Sequence, residues 1–261
     1  MLLGIIGEPK EEAFRHAQEK GLSFLEFCIN IGQNCGAFAA RAEDIRAWME
    51  RYGVFVGAIG RWGTDKFDQN GALIEEELQN SFRLIDTAAA LNCKVFNTGV
   101  NFVEGLSYYQ NVTNAIQYLQ TCVDYGAQRG VRVATYNCRW NNFVVEPEVW
   151  KLTHGHIPEL GIKFDSSHSI RHGGDYLAEI RDWGGRFYHV HIKGILMVGD
   201  DEVDDPPAGM DSTNWGALMA GLYEAGYDGL LSLEPHSSTW KGALGEKGLD
   251  YSIDYMRRMI F

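Results

Sequence analysis

The chain has 261 residues, 45% of them apolar, which is enough to build one large hydrophobic core. Its 23 basic and 35 acidic residues give a formal net charge of −12. Such a surface repels phosphate backbones on average, so nucleic acid is not an expected partner. The five cysteines form no C-x-x-C pair, a pattern typical of a reduced intracellular protein.

The amino-terminal sequence MLLGIIGEPKEE contains an apolar run that is too short for a secretion signal and has no basic residues before it. No apolar stretch approaches the roughly 18 residues that a membrane-spanning helix needs. We therefore expect a cytoplasmic protein that does not bind membranes.

Eight apolar segments rich in β-branched residues recur along the chain and are predicted to be strands. They span residues 2–7, 24–29, 54–59, 94–98, 131–136, 161–165, 187–192 and 229–234. Each is followed by a stretch of helical period, and EPEVWKLTH is predicted to be the shortest helix. Gly21, Gly53 and Gly130 follow three of these stretches, as left-handed helix ends require.

Strict strand–helix alternation predicts parallel strands with right-handed crossovers. Eight such units in this length favour a single (β/α)8 TIM barrel, one domain covering residues 1–261. A doubly wound open sheet is the alternative, but no G-x-G-x-x-G follows the first strand. The segment 194–207, GILMVGDDEVDDPP, is predicted to be a long loop after the seventh strand.

Polar side chains end the last four predicted strands, and active sites of such barrels lie at this end. Asp165, His191 and Glu234 are the main ones, with Asn137 after strand five. Oxygen and nitrogen ligands of this kind suit one divalent ion, Mn²⁺, Mg²⁺, Co²⁺ or Zn²⁺, with Mn²⁺ favoured.

Each of these residues also has a purely structural interpretation. Asp165 could cap the following helix, and Glu146 could be an acidic residue favoured by a helix dipole. His189 is better explained as a buried structural histidine, whereas His191 lies nearer the functional end of its strand. Glu234 ends an apolar run, so its charge requires a partner or an ion.

Three segments together resemble the xylose-isomerase-like barrel superfamily of sugar isomerases, sugar epimerases and inosose dehydratases. They are GIKFDSSHS, FYHVHIKG and AGMDSTNWGALMAGLYEAGYDGLLSLEP, and the resemblance extends over essentially the whole chain. It implies a metal site made of Glu, Asp, His and Glu from strands five to eight. Asp165, His191 and Glu234 match the last three positions of that site.

The first metal ligand is less direct, because strand five, VRVATYNCRW, contains no glutamate. YNCRWNNFVVEPEVW resembles the inosose-dehydratase-like arrangement, in which the glutamate follows a loop. This implies Glu146 as the first ligand, with Asn137 as the alternative. Gly194 also departs from the family, which usually has Asp after H-V-H-x-K. The dehydratase-like and C-glycoside-deglycosidase-like branches are therefore closer in pattern than tagatose-type epimerases.

The resemblance implies a metal-dependent isomerase or epimerase that acts on a sugar or keto-sugar. A carbon-bound proton next to a carbonyl would be removed, and the metal would stabilise the resulting enediolate. The predicted acid–base residues are Glu146, Glu234 and His168. The predicted substrate-binding residues are Lys193, His236, Asn137, Arg139 and Asn142. Aromatic residues that could stack on a substrate are Trp62, Phe67, Phe102, Tyr108, Trp140 and Trp240, although ordinary packing explains any one of them.

Other functions remain open at this point. An elimination of the inosose dehydratase or C-glycoside deglycosidase type would use the same residues, and a non-catalytic barrel with a degenerate site is a further alternative. A DNA-repair endonuclease would need several metals and a basic face, and strands two to four supply almost no ligands. The sugar or polyol substrate is the expected partner, and association into a homo-oligomer or with a partner subunit is possible.

Overall fold

The computed structural model describes residues 1–261. Its ten strands are β1 (Leu2–Ile6), β2 (Phe24–Asn30), β3 (Phe55–Trp62), β4 (Val95–Thr98), β5 (Arg132–Tyr136), β6 (Gly161–Asp165), β7 (Phe187–Ile192), β8 (Leu196–Val198), β9 (Asp201–Asp204) and β10 (Leu230–Leu233). All except β8 and β9 form a closed parallel barrel in the order β1-β10-β7-β6-β5-β4-β3-β2. The predicted (β/α)8 barrel is confirmed, and strands β6 and β7 have the predicted bounds.

Helices connect successive barrel strands and cover the outside of the barrel. They are α1 (Glu11–Glu19), α2 (Cys35–Ala39), α3 (Ala42–Tyr52), α4 (Glu75–Ala90), α5 (Tyr108–Ala127), α6 (Pro147–His156), α7 (Ser166–Arg171), α8 (Tyr176–Trp183), α9 (Trp215–Glu224) and α10 (Gly242–Arg257). The prediction that α6 is the shortest helix is wrong, because α1, α2, α7 and α8 are all shorter. Helices α2 and α7 are not predicted from the sequence. None of these helices is both long enough and apolar enough to cross a lipid bilayer.

The predicted glycine helix ends are confirmed by their backbone angles. Gly21, Gly53 and Gly130 have φ values of 65°, 65° and 66°, and Gly53 is the residue that ends α3. In this left-handed region a side chain would be strained, whereas glycine is not.

The alternation of side chains along each strand separates two environments. In β2, Leu25, Phe27 and Ile29 belong to the apolar core between strands and helices. The intervening residues Phe24 and Glu26 face the interior of the barrel, where both contact His189. Packing against the helices is therefore apolar, while the middle of the barrel carries charged groups.

The prediction of a long loop for residues 194–207 is wrong, because this segment contains a β-hairpin. Strands β8 and β9 pair antiparallel, with Val198 opposite Asp201. Gly199 has a φ of 63°, and a two-residue turn with a left-handed first residue joins strands of the natural twist. The hairpin pairs with no barrel strand.

Helices α7 and α8 are linked by a hydrogen bond from the Ser169 hydroxyl to the Glu179 carboxylate, 2.5 Å long. Glu179 is only 8% exposed. Burial raises the pKa of its carboxyl group to about 7, although the bond from Ser169 acts in the opposite direction.

This buried carboxyl group makes the stability of the protein depend on pH. An unfolded-chain Glu ionises near pH ~4.3, so the unfolded chain loses its proton first and the fold loses stability as the pH rises from about 4 to 7. We expect Glu179→Gln to unfold like the wild type at pH 4 and to be more stable at pH 8, by about 3 kcal/mol. Urea unfolding at both pH values measures this, with Glu224→Gln on the exposed end of α9 as a control. Parallel pH profiles of wild type and Glu179→Gln would contradict the assignment.

Candidate functional site

Three of the four predicted metal ligands meet at the carboxyl end of the barrel. Asp165 ends β6 opposite His191 in β7, and Glu234 follows β10. One ligand atom of each lies within 4.8 Å of the other two. The Nδ1 atom of His191 is 2.6 Å from the Glu234 carboxylate and 3.9 Å from Asp165 Oδ2.

The two oxygens of Asp165 have different environments. Oδ1 accepts hydrogen bonds from the backbone N–H and the hydroxyl of Ser167, which makes it the cap of α7. Oδ2 is buried without a hydrogen-bond partner, and Lys163 Nζ and His168 Nε2 are each 3.6 Å away. Burial alone would raise the pKa of this carboxyl group, but Lys163 and His168 hold it well below its usual value. The capping and ligand interpretations are therefore compatible, because each uses a different oxygen.

The donor set fits a divalent ion. Two carboxylates and one imidazole are ligands of the kind that Mn²⁺, Mg²⁺ and Zn²⁺ accept, and an unpartnered buried oxygen is directed into the same space. Asp165, His191 and Glu234 would hold such an ion and leave further positions for other oxygens.

Glu26 in β2 fixes the orientation of the histidine in this set. A single oxygen of its fully buried carboxylate lies 2.8 Å from His191 Nε2 and 2.7 Å from His189 Nε2. Burial would raise the pKa of Glu26, but the two imidazoles hold it well below its usual value. A carboxylate bonded to the far nitrogen of a ligating histidine sets the ring orientation.

No role was predicted from the sequence for Glu26. The sequence shows only a charged residue within the otherwise apolar strand FLEFCIN. This pattern predicts neither the histidines that Glu26 contacts nor the complete burial of its side chain. His189 is buried beside it, in agreement with the structural interpretation of this residue.

The structure does not bring Glu146 into this group. It precedes α6 as the helix-capping residue, is 43% exposed, and lies 2.5 Å from Arg139 Nη2 in an ion pair. Both residues line a separate cavity of about 280 Å³, together with Glu148 and Glu179. Glu146 thus lies at the start of a helix, as its structural interpretation predicted.

The two predicted substrate-binding asparagines are engaged with the backbone. Asn137 donates to the carbonyl of Asp165 (2.8 Å) and accepts from its N–H (3.0 Å). Asn142 donates to the carbonyl of Tyr136 (2.7 Å) and accepts from the N–H of Val100 (3.0 Å). Both amides therefore brace the strand ends on which the site is built.

A cavity of about 430 Å³ opens at this end of the barrel, and two of the three candidate ligands, His191 and Glu234, line it. His168 and Lys193 line it as well, whereas Asp165 is fully buried and does not. Burial lowers the pKa of His168 to about 4, although Asp165 acts in the opposite direction. His168 is therefore neutral near pH 7 and only weakly basic.

Two of the six aromatic candidates, Trp62 and Trp140, line this cavity. The ring of Trp62 stacks on Tyr136 with 3.9 Å between centroids, which holds it in place. The other four do not line this cavity; they are Phe67, Phe102, Tyr108 and Trp240.

The glycine that departs from the family pattern is explained by a close approach of the backbone. A Cβ atom at Gly194 would lie 2.0 Å from the carbonyl oxygen of Pro206. The neighbouring Asp205 places its carboxylate 3.3 Å from Lys193 Nζ and 3.0 Å from His236 Nδ1. An acid that follows the hairpin, and not one at position 194, thus lies beside Lys193.

Comparison with known proteins agrees with this architecture. Residues 14–259 match the family described as xylose isomerase-like TIM barrel. The chain belongs to this family. A search of curated proteins found no significant match to the sequence.

Several solved structures share the fold of this chain at low sequence identity. The 3-keto-D-glucoside 4-epimerase YcjR from E. coli superposes with a TM-score of 0.78 at 16% identity, covering 99% of both chains. A D-psicose 3-epimerase from Clostridium cellulolyticum H10 gives 0.79 at 11% identity, covering 100% of this chain and 99% of its own. A xylose isomerase domain protein from Planctomyces limnophilus gives 0.74 at 16% identity, covering 98% and 95%.

The shared carboxylate of Glu26 leads to a prediction about stability. Removal of one partner from a buried ion pair typically costs about 3–5 kcal/mol, so we expect Glu26→Gln to lower the free energy of unfolding by about 3 kcal/mol. Glu8→Gln is the control, because Glu8 pairs with Lys10 on the surface and such pairs contribute about 1 kcal/mol or less. Denaturant unfolding measures both, and equal losses would show that Glu26 has no special structural role.

Proposed function

We propose that this protein is a divalent-metal-dependent isomerase or epimerase of a sugar or keto-sugar. The observation that carries the proposal is the convergence of Asp165, His191 and Glu234 around an unpartnered, buried carboxylate oxygen. Three protein ligands leave positions at which two neighbouring substrate oxygens can bind. The similar structures named as a psicose 3-epimerase and a keto-glucoside 4-epimerase support a sugar as the substrate.

The ion would supply Lewis acidity, which polarises a carbonyl and makes the adjacent carbon-bound hydrogen more acidic. The chain itself must then accept and return a proton. Glu234 is the carboxylate positioned to accept it, because it lines the cavity. The hydrogen bond from His191 lowers its pKa against the effect of burial, which keeps the carboxylate ionised but makes it a weak base. His168 lines the same cavity and is the second proton-transfer group of the proposal.

Substrate hydroxyls would be bound by Lys193 and His236, which line the cavity, while Trp62 and Trp140 provide apolar faces for the sugar ring. Arg139 and Glu146 belong to the neighbouring cavity. The predicted ligand and acid–base roles of Glu146 therefore require its carboxylate to leave Arg139, and the proposed metal site is limited to three residues.

Metal binding tests the ligand set. We expect the wild type to bind one equivalent of Mn²⁺ and to gain thermal stability from it, since a ligand that binds only the folded state stabilises that state. Asp165→Asn should weaken binding at least tenfold, because it removes the charge from the unpartnered oxygen. Isothermal titration calorimetry and thermal unfolding with and without Mn²⁺ provide the measurements.

Glu146→Gln is the matched comparison in the same experiment. With a three-residue site its Mn²⁺ affinity stays close to that of the wild type, whereas a tenfold loss would show that Glu146 moves in as a fourth ligand. No Mn²⁺ binding by the wild type, with no response to chelators, would overturn the metalloenzyme proposal.

Glu234→Gln tests proton transfer. Loss of a positioned base typically reduces the rate by about 10²- to 10⁴-fold, so we expect kcat on a responsive ketose to fall at least 100-fold. Exchange of the substrate's carbon-bound hydrogen with solvent deuterium, followed by NMR, should stop as well. Because Glu234 is also a candidate ligand, the variant is compared at saturating Mn²⁺; unchanged exchange there would exclude Glu234 as the base.

Elimination of a hydroxyl or aglycone is the second candidate function. One observation favours it: Glu234 is the only carboxylate among the residues that line the cavity, with lysines and histidines around it. A carboxylate base combined with a cationic proton donor suits the removal of a proton and the departure of a leaving group. Product analysis distinguishes the two functions, because elimination forms an unsaturated or dehydrated product and isomerisation does not.

A further inference from the structure

The cavity beside His191 and Glu234 is lined mainly by positively charged side chains, although the protein as a whole is negatively charged. The chain as a whole carries a net charge of −12. The cavity is lined by three permanent cations, Lys163, Arg171 and Lys193, and by one carboxylate, Glu234. A molecule that enters this cavity therefore meets mainly positive side chains.

The carboxylates that balance two of these cations come from the hairpin and lie outside the cavity lining. Arg171 is held by both oxygens of Glu202, one of them 2.5 Å from Nη2, and Asp205 Oδ1 lies 3.5 Å away. Lys193 is only 3% exposed, and its Nζ is 3.3 Å from Asp205 Oδ2. Neither Glu202 nor Asp205 lines the cavity, whereas Arg171 and Lys193 do.

The hairpin that carries these carboxylates is held to the barrel mainly by side-chain contacts. Strands β8 and β9 pair only with each other, and their residues are largely exposed. A two-stranded hairpin on its own is marginally stable, so its position at the mouth depends on contacts such as the ion pairs with Arg171 and the bonds between Asp204 and Ser237. Competition for Arg171 would release part of that attachment.

We propose that the substrate carries an anionic oxygen group, a carboxylate or a phosphate, which binds Arg171 and Lys193 at the rim of the cavity. In the free protein, Glu202 and Asp205 of the hairpin pair with these two cations, and the anionic group would compete with them from the cavity side. A guanidinium fork binds carboxylate or phosphate through two parallel hydrogen bonds, as it now binds Glu202. This inference rests on the proposed function, in which the reacting end of the substrate binds at the metal site formed by Asp165, His191 and Glu234.

The test uses the full-length protein loaded with Mn²⁺ and sugar pairs that differ mainly by the anionic group. The pairs are D-fructose with D-fructose 6-phosphate, D-ribulose with D-ribulose 5-phosphate, and D-glucose with D-glucuronate. We expect the charged member of at least one pair to bind at least tenfold more tightly by calorimetry. This preference should weaken with added salt, because ionic attraction is screened. The pair that responds tells phosphate from carboxylate.

Two substitutions with opposite expected effects identify the residues responsible. Arg171→Met should abolish the preference and leave the affinity for the neutral sugar within about twofold. Glu202→Gln should strengthen binding of the anion severalfold, because it removes the competitor. Arg181→Met is the matched control, since Arg181 pairs with Asp182 on the surface of α8 away from the cavity. It should change neither affinity.

Equal binding within all three pairs overturns the proposal. An equal loss of affinity for the neutral and the charged sugar in Arg171→Met also overturns it, as does weaker binding of the charged sugar by Glu202→Gln. These results leave the proposed function intact if Mn²⁺ still binds and neutral ketoses are still converted. If Mn²⁺ does not bind, the proposed function fails, and the anion preference can still be measured in the metal-free protein.

Discussion

One buried carboxylate organises the interior of the barrel. Glu26 on β2 accepts from two imidazoles on β7, and β1 and β10 separate these two strands around the barrel. The contact therefore crosses the interior and does not follow the sheet. An isolated charge at this depth would be strongly unfavourable, so the position of Glu26 is acceptable only with His189 and His191 in register. Because the far nitrogen of His191 is held in this way, its Nδ1 is directed to the mouth, toward Glu234 and Asp165.

The barrel interior changes along β2 from an apolar side chain, Phe24, to a charged one, Glu26. Phe24 lies beneath His189, and a Cβ atom at Gly4 or Gly57 would meet its ring at about 2.5 Å. Two glycines thus make room for one phenyl ring in the barrel interior next to His189. Above it, charge is paired within the interior and becomes progressively more accessible toward Glu234. A polar interior of this kind contributes less to stability than apolar packing would, but it holds the groups of the site in one arrangement.

Local patterns in the sequence were sufficient for the fold and for most of the proposed ligands. Strand period, glycine helix ends and the polar residues after apolar runs predicted the barrel and the positions of Asp165, His191 and Glu234. The role of Glu26 depends on a partner 163 residues away, and no local pattern carries that information. The position of Glu146 depends on which neighbour its carboxylate selects, and Arg139, seven residues earlier, is an equally available partner in the sequence. The hairpin was missed because its acidic composition is typical of a loop, while Gly199 alone indicated the turn.

Gly194 stands where the family usually has aspartate, and this difference affects both the path of the hairpin and the charges at the rim of the cavity. A side chain at Gly194 would collide with the Pro206 carbonyl, so the hairpin can return to the mouth only because this residue is glycine. The return brings Asp205 to Lys193 and His236, and Glu202 to Arg171. An acid directly after β7 would be part of the barrel strand end, whereas Asp205 reaches Lys193 from a hairpin that pairs with no barrel strand. The charge at the rim of the cavity is therefore set by the hairpin, while Glu26 fixes the histidine below it.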